Sequence, residues 1–170
     1  MAKPYRVTGS VRFSNAMTAS LVRLGIKMGS ISLLTVRGRT SGKPIVTPIA
    51  IFAQEEKRYL VASYGVVNWV RNLRAAGGEA TLTRGRRTET IHALELPPET
   101  AAPILQEALR TGPAGIPAVV VRLYRSRFVL PYLNVTVTSQ LEEFEREAQT
   151  HPVFLVQAVM KEESGANRGD

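Results

Sequence analysis

The sequence predicts one α+β domain, an antiparallel barrel of about six short strands flanked by helices. Two observations carry this. Between residues 30 and 63, apolar β-compatible runs follow one another too closely for helical crossovers, so neighbouring strands should be antiparallel. Helix-period segments occur only before residue 30 and after residue 63.

The elements follow in order. Residues 15–29 have helical spacing, with Met17, Leu21, Leu24 and Met28 on one face and Val22 and Ile26 nearly opposite. Such a helix packs on the core or a partner subunit, or less favourably on a membrane surface. Ser30–Val36 is a strand, Arg37–Pro44 a turn, and Ile45–Phe52 a second strand. Pro48 places that strand at an edge or a bulge. Gln54–Lys57 is a turn and Arg58–Ser63 the third strand. Asn68–Ala76 is a helix closed by Gly77 and Gly78. Glu79–Arg84 and Arg87–Leu96 form a hairpin around Gly85, with Thr88, Thr90, His92 and Leu94 on one face and Glu89, Ile91 and Ala93 on the other. Pro98–Arg110 is a helix with Ile104, Leu105, Ala108 and Leu109 inward. Ala118–Leu123 fits a strand or a buried helix. Ser139 and Glu142 are spaced as a capping box, so a helix starts there and ends before Pro152. Val153–Gln157 is a last strand. Residues 1–160 make one domain, and 161–170 read as a disordered tail.

Composition removes several mechanisms. The 170 residues contain no cysteine, two histidines (His92 and His151) and one aspartate, Asp170. Thiolate chemistry and Cys-ligated zinc are excluded, no metal site is expected, and a Ser-His-acid triad has only glutamates to draw on. Hard chemistry is therefore expected from a bound cofactor. The net charge of +8 favours an anionic partner. The N-terminal apolar runs are broken by Arg6, Arg12, Arg23 and Lys27, and no run reaches membrane-span length. A cytoplasmic location is expected, with a homodimer or a peripheral membrane contact open.

Two segments hold the candidate site. The turn Arg37-Gly38-Arg39-Thr40-Ser41-Gly42-Lys43 combines cations, hydroxyls and glycines, as an anion site requires. A solvated basic hairpin fits it equally well. It is not a nucleotide-triphosphate loop, because Arg37 and Pro44 occupy positions that need Gly and Ser or Thr. The second segment is Ala62-Ser63-Tyr64-Gly65 and Asn68-Trp69-Val70-Arg71-Asn72-Leu73. Its small residues admit a flat ring, and Trp69 and Leu73 can wall a pocket beside Asn72; a plain core tryptophan is the commoner reading. Arg71, Arg74, Arg84, Arg86 and Arg87 form a basic cluster without the interleaved aromatics of single-strand binders, so nucleic acid is not expected. That cluster reads as a solvated face or a clamp for an anionic cofactor tail. His92 reads as a structural histidine.

The ordered pair of motifs, Leu33–Pro44 with Thr47-Pro48 and then Val61–Gly65 with Asn68–Leu73, resembles the deazaflavin-dependent nitroreductase family. The likeness spans roughly residues 15–110, and His151-Pro152-Val153-Phe154 resembles one branch of it. The resemblance implies an FMN-binding-type split β-barrel that uses reduced coenzyme F-420 to pass hydride to quinones, nitro compounds or other apolar unsaturated acceptors. By position it assigns Arg39, Ser41, Gly42 and Pro48 to the coenzyme turn, Ala62, Ser63 and Gly65 to the ring, and Trp69 and Asn72 to the helix beside it. Arg37, Thr40 and Lys43 complete the expected coenzyme set, and Ser63 and Tyr64 are the candidate catalytic residues. The sequence departs from the family at Thr40, Ile45 and Ala50, and FMN is the alternative cofactor. A carrier of the same fold without turnover is the alternative function.

Overall fold

The computed structural model describes residues 31–112 and 118–159. The expected helix at 15–29 and the tail at 161–170 lie outside them. Six strands close into a barrel: β1 (Ile31–Arg37), β2 (Pro44–Gln54), β3 (Lys57–Val61), β4 (Glu79–Arg84), β5 (Arg87–Glu95) and β6 (Val153–Ala158). Their order around the barrel is β1-β2-β3-β6-β5-β4, and β4 returns to β1. Every pairing is antiparallel.

Alternation along each strand fills the interior. Leu34 and Val36 of β1, Ile49 and Ile51 of β2, Leu60 of β3, Leu82 of β4, Ile91 and Ala93 of β5 and Phe154 and Val156 of β6 share one core. The two faces expected of β5 are observed, with Ile91 and Ala93 buried and Thr88, Thr90 and Leu94 exposed. Helix α1 (Asn68–Ala75) supplies Val70 and Leu73, both 0% exposed, to the same core.

A second core lies outside the barrel. Phe52 and Tyr59 point away from the interior and meet α2 (Pro98–Thr111) and α4 (Leu141–Ala148). Ile104, Leu105 and Leu109 of α2 face them as the periodicity predicts, joined by Ala101 and Ala102. The segment 118–123, open between strand and helix, is helical as α3 (Ala118–Tyr124). It leads through a π-helical turn (Arg125–Val129) and a 3-10 turn (Leu130–Tyr132) toward α4.

One local expectation is borne out and another shifts. Residues 44–50 of β2 pair only with β1, and 51–54 pair with β3. Pro48 therefore sits in a half of the strand that is paired on one side and is an edge on the other among the described residues, where proline is tolerated. The cap of α4 is one residue later than the Ser139/Glu142 spacing implies. Gln140 is the N-cap, and its N–H donates to Glu143 Oε2 at 2.9 Å. Ser139 Oγ instead accepts the Thr136 N–H at 3.1 Å, closing the preceding turn. Serine can satisfy either turn, and sequence spacing does not separate them.

Candidate functional site

The β1–β2 turn is tighter than the sequence suggests, because Arg37 and Pro44 pair as the last ladder rung. Within it Gly38 N–H donates to the Lys43 carbonyl and Gly42 N–H to the Gly38 carbonyl, both at 2.8 Å. Gly38 is buried against its own turn. A β-carbon there would meet Ser41 Oγ and Ile45 Cδ1 at 2.8 Å. The Arg37, Arg39, Thr40, Ser41, Gly42 and Lys43 side of the loop is exposed.

The two candidate segments, separated by over thirty positions, meet at one atom. Oδ1 of Asn72 accepts from the Arg39 backbone N–H at 3.3 Å and from Arg39 Nη1 at 2.8 Å. Asn72 is 2% exposed, so this is a buried anchor for an exposed cationic turn. One turn earlier on α1, Trp69 packs on Phe154 with ring centroids 5.7 Å apart.

Trp69 also lines a cavity of about 500 Å³. Pro48, Ala62, Ser63 and Tyr64 line it too. Five of the expected site residues thus share one wall. The opposite wall comes from Leu105, Ala108 and Leu109 of α2, Val121 of α3, and Val129 and Leu133 beyond it. Sequence reasoning missed this wall entirely. Its residues lie far along the chain, and their apolar spacing signals only packing. Among the described residues Arg125 is the one charged residue at the cavity, and its Nη1 donates to the carbonyls of Leu109 and Arg110 at 2.7 and 2.9 Å.

Past β3, the chain turns sharply. Gly65 N–H donates to the Ala62 carbonyl at 2.8 Å, and Gly65 has φ +75°. Left-handed backbone favours glycine there. Tyr64 stands edge-on to Tyr132, with centroids 5.3 Å apart. Among the described residues, no side chain caps the first turn of α1.

Some expectations are corrected. Leu73 does not wall the cavity, since it is fully buried in the barrel core. The turn residues and Asn72 are not on the cavity lining; Arg39 bonds Asn72, which shares α1 with the lining residue Trp69. The arginine cluster is split: β1 pairs antiparallel with β4, so Arg84, Arg86 and Arg87 sit at the far end of β1 from the turn. Seven residues of strand separate the two ends, roughly 20 Å. Arg74 is paired with Glu95 at 2.6 Å. His92 Nε2 lies 3.0 Å from the Gly77 carbonyl, a structural contact away from the cavity. No helix among the described residues is long and apolar enough to cross a membrane.

A family model described as F420H(2)-dependent quinone reductase matches residues 9–115. Among solved structures, an F420-H2 dependent reductase (FDR-A) aligns over 75% of this chain and 94% of its own, with 20% identity and a TM-score of 0.39. A chain described as a domain-swapped dimer aligns over 88% of this chain and 100% of its own, with 19% identity and a TM-score of 0.45. A FAD-binding protein from Mesorhizobium loti aligns over 85% and 90%, with 12% identity and a TM-score of 0.44. No curated protein matches the sequence.

Proposed function

Because the chain belongs to the F420H(2)-dependent quinone reductase family, we propose that its cavity holds the ring of reduced coenzyme F-420 beside a small apolar acceptor, a quinone first among candidates. One observation carries the placement: the Arg39–Asn72 bond ties an exposed cationic turn to the helix whose Trp69 lines the cavity.

The residues fit such a group. A cavity of about 500 Å³ falls within the usual span of small-molecule sites. Ala62 and Ser63 leave room at the strand end for a flat ring, and Pro48 and Trp69 offer flat apolar surface. Arg37, Arg39 and Lys43 suit a phosphate and a carboxylate tail. Bound there, the reduced coenzyme supplies the hydride.

The chain's own part is positioning and electrostatics. Asn72 fixes Arg39, so the turn meets an anion with one arginine already oriented. The aliphatic wall from α2 and α3 keeps water from the reacting atoms. Ser63 and Tyr64 line the cavity, where a hydrogen bond from either hydroxyl would support negative charge developing on the acceptor oxygen. No protein nucleophile is needed.

The test is a titration of the pure protein with oxidised coenzyme F-420 and, separately, with FMN. Single-turnover oxidation of the bound reduced coenzyme by a quinone, a nitro compound and an enone follows. Tight binding of F-420 with fastest turnover by the quinone is expected. Preference for FMN overturns the coenzyme assignment. Binding without oxidation by any acceptor makes the protein a carrier.

A further inference from the structure

Behind the cavity lies a buried polar pair that the proposed chemistry does not use. Glu147 in α4 and His151 just before β6 keep side-chain exposures of 4% and 8%, with Glu147 Oε1 3.0 Å from His151 Nδ1. Glu147 Oε2 accepts from Asn134 Nδ2 at 3.3 Å. Thr150 Oγ1 lies 3.1 Å from His151 Nδ1 and donates to the Glu147 carbonyl at 3.1 Å. Ionisable groups are seldom buried so deeply, because leaving water is costly even when they are paired. A packed apolar pair would hold α4 to β6 with less penalty.

The location of the pair supplies a reason. It contacts Gly65 and Asn134, which adjoin lining residues Tyr64 and Leu133 on the two walls of the cavity. On one side the Ala62 N–H donates to the Pro152 carbonyl at 3.0 Å. Gly65 presses on the same stretch: a β-carbon there would stand 3.3 Å from the Thr150 carbonyl and 3.6 Å from His151 Nε2. The turn that carries Ser63 and Tyr64 therefore rests on residues 150–152. On the other side Asn134 follows Leu133, which lines the cavity, and Tyr132, which meets Tyr64. The Nδ1 edge of His151 thus holds Glu147 and, through it, the 132–134 wall. Its Nε2 edge faces the 62–65 wall.

We propose that His151 is a positioning residue: paired with Glu147, it fixes the Ala62–Gly65 turn against the Tyr132–Asn134 segment and so sets the width of the slot that takes the coenzyme ring. This rests on the reading above that the slot holds the ring, but its first test does not.

That test is amide hydrogen exchange on the protein without coenzyme. His151→Leu keeps bulk and removes both ring nitrogens. His151→Asn keeps a donor at the place of Nδ1. In His151→Leu, exchange at the Ala62 and Gly65 amides should quicken about tenfold, while Leu34 and Ile91 in the barrel core stay protected. His151→Asn should return those two amides toward the wild-type rate. A second arm measures affinity for oxidised coenzyme F-420, which should fall about tenfold in His151→Leu and recover in His151→Asn. Unchanged exchange at Ala62 and Gly65, or equal quickening across the whole barrel, overturns the proposal. Should His151→Leu fail to fold, Glu147→Gln carries the same measurement with the same two outcomes. If the wild-type protein binds no coenzyme F-420, the functional reading has failed, and the exchange arm still decides the role of His151.

Discussion

Arg39 has two partners to serve. Its Nη1 satisfies a buried amide oxygen of Asn72, and the rest of its guanidinium faces outward. Arg39→Ala should therefore weaken coenzyme binding by about 1.5–3 kcal/mol, the size of a charge-assisted contact. It should also cost about 1 kcal/mol of stability, because the buried Asn72 oxygen keeps only the backbone N–H as a donor. Calorimetry and a urea titration on the same preparation separate the two losses, and unchanged affinity in the folded variant removes the turn from the site. At the cavity, Ser63→Ala should slow single-turnover hydride transfer by about 1–3 kcal/mol. His92→Ala should keep most of the rate, since that ring is engaged with the Gly77 carbonyl. Loss of the hydride step in His92→Ala, with coenzyme still bound, would mean that a general acid has been overlooked. The sequence identified Ala62, Ser63 and Trp69 on one wall because small residues at a strand end lead into a helix that carries the lone tryptophan. It marked His151 only within a family-like motif and left Glu147 unremarked, since a Glu four positions before a His carries no sign of how deeply both will be buried.

The β1–β2 turn depends on the absence of one carbon. Gly38→Ala places a methyl group 2.8 Å from Ser41 Oγ and Ile45 Cδ1, so the loop must open. A destabilisation of about 1–3 kcal/mol is expected, together with weaker coenzyme binding, because Arg39 moves with the loop. Wild-type stability in this variant would show that the turn has slack. The junction of α4 and β6 responds to acid instead. Burial pushes the Glu147 carboxyl up, but hydrogen bonds from His151 and Asn134, with the charge of His151, outweigh it and hold the group below its ordinary value. A carboxyl lowered by folding stabilises the native state above the ordinary range, and that contribution is lost as pH falls through the folded value. Urea unfolding should thus show a loss of stability below about pH 4.5, and Glu147→Gln should flatten that acid limb. An acid limb as steep in Glu147→Gln as in the wild type would assign it to other carboxylates. Elements were legible where a period or a punctuating glycine or proline marked them: β4, β5 and α2 lie where the pattern places them. The cap of α4 shifted because Ser139 found a nearer donor in Thr136.

At the scale of the whole molecule, short antiparallel strands could be read from sequence, but their order could not. Nothing local tells β6 to lie between β3 and β5, because that choice is made by burial of Phe154 and Val156 in the barrel interior. The missing wall of the cavity has the same origin, since α2 reaches it through packing on Phe52, Tyr59 and Phe144 of α4. A chain ended at Pro152 would leave β3 and β5 without their shared neighbour. Its near-ultraviolet circular dichroism should be lost and its thermal transition should broaden; a sharp transition would show that five strands suffice. The same placement of β6 sets a timetable. The hairpins β2–β3 and β4–β5 pair residues only a few positions apart, whereas Leu60 and Phe154 are partners 94 positions apart (154 − 60). Long loops close late because their entropy is lost before any contact rewards it. Refolding should therefore begin in the hairpins and finish at β6. Val156→Ala should leave the refolding rate nearly unchanged and hasten unfolding, while Ile91→Val in the β4–β5 hairpin should slow refolding. A chevron in which Val156→Ala slows refolding as much as it destabilises the protein would place β6 in the nucleus, and the last strand in space would be among the first in time.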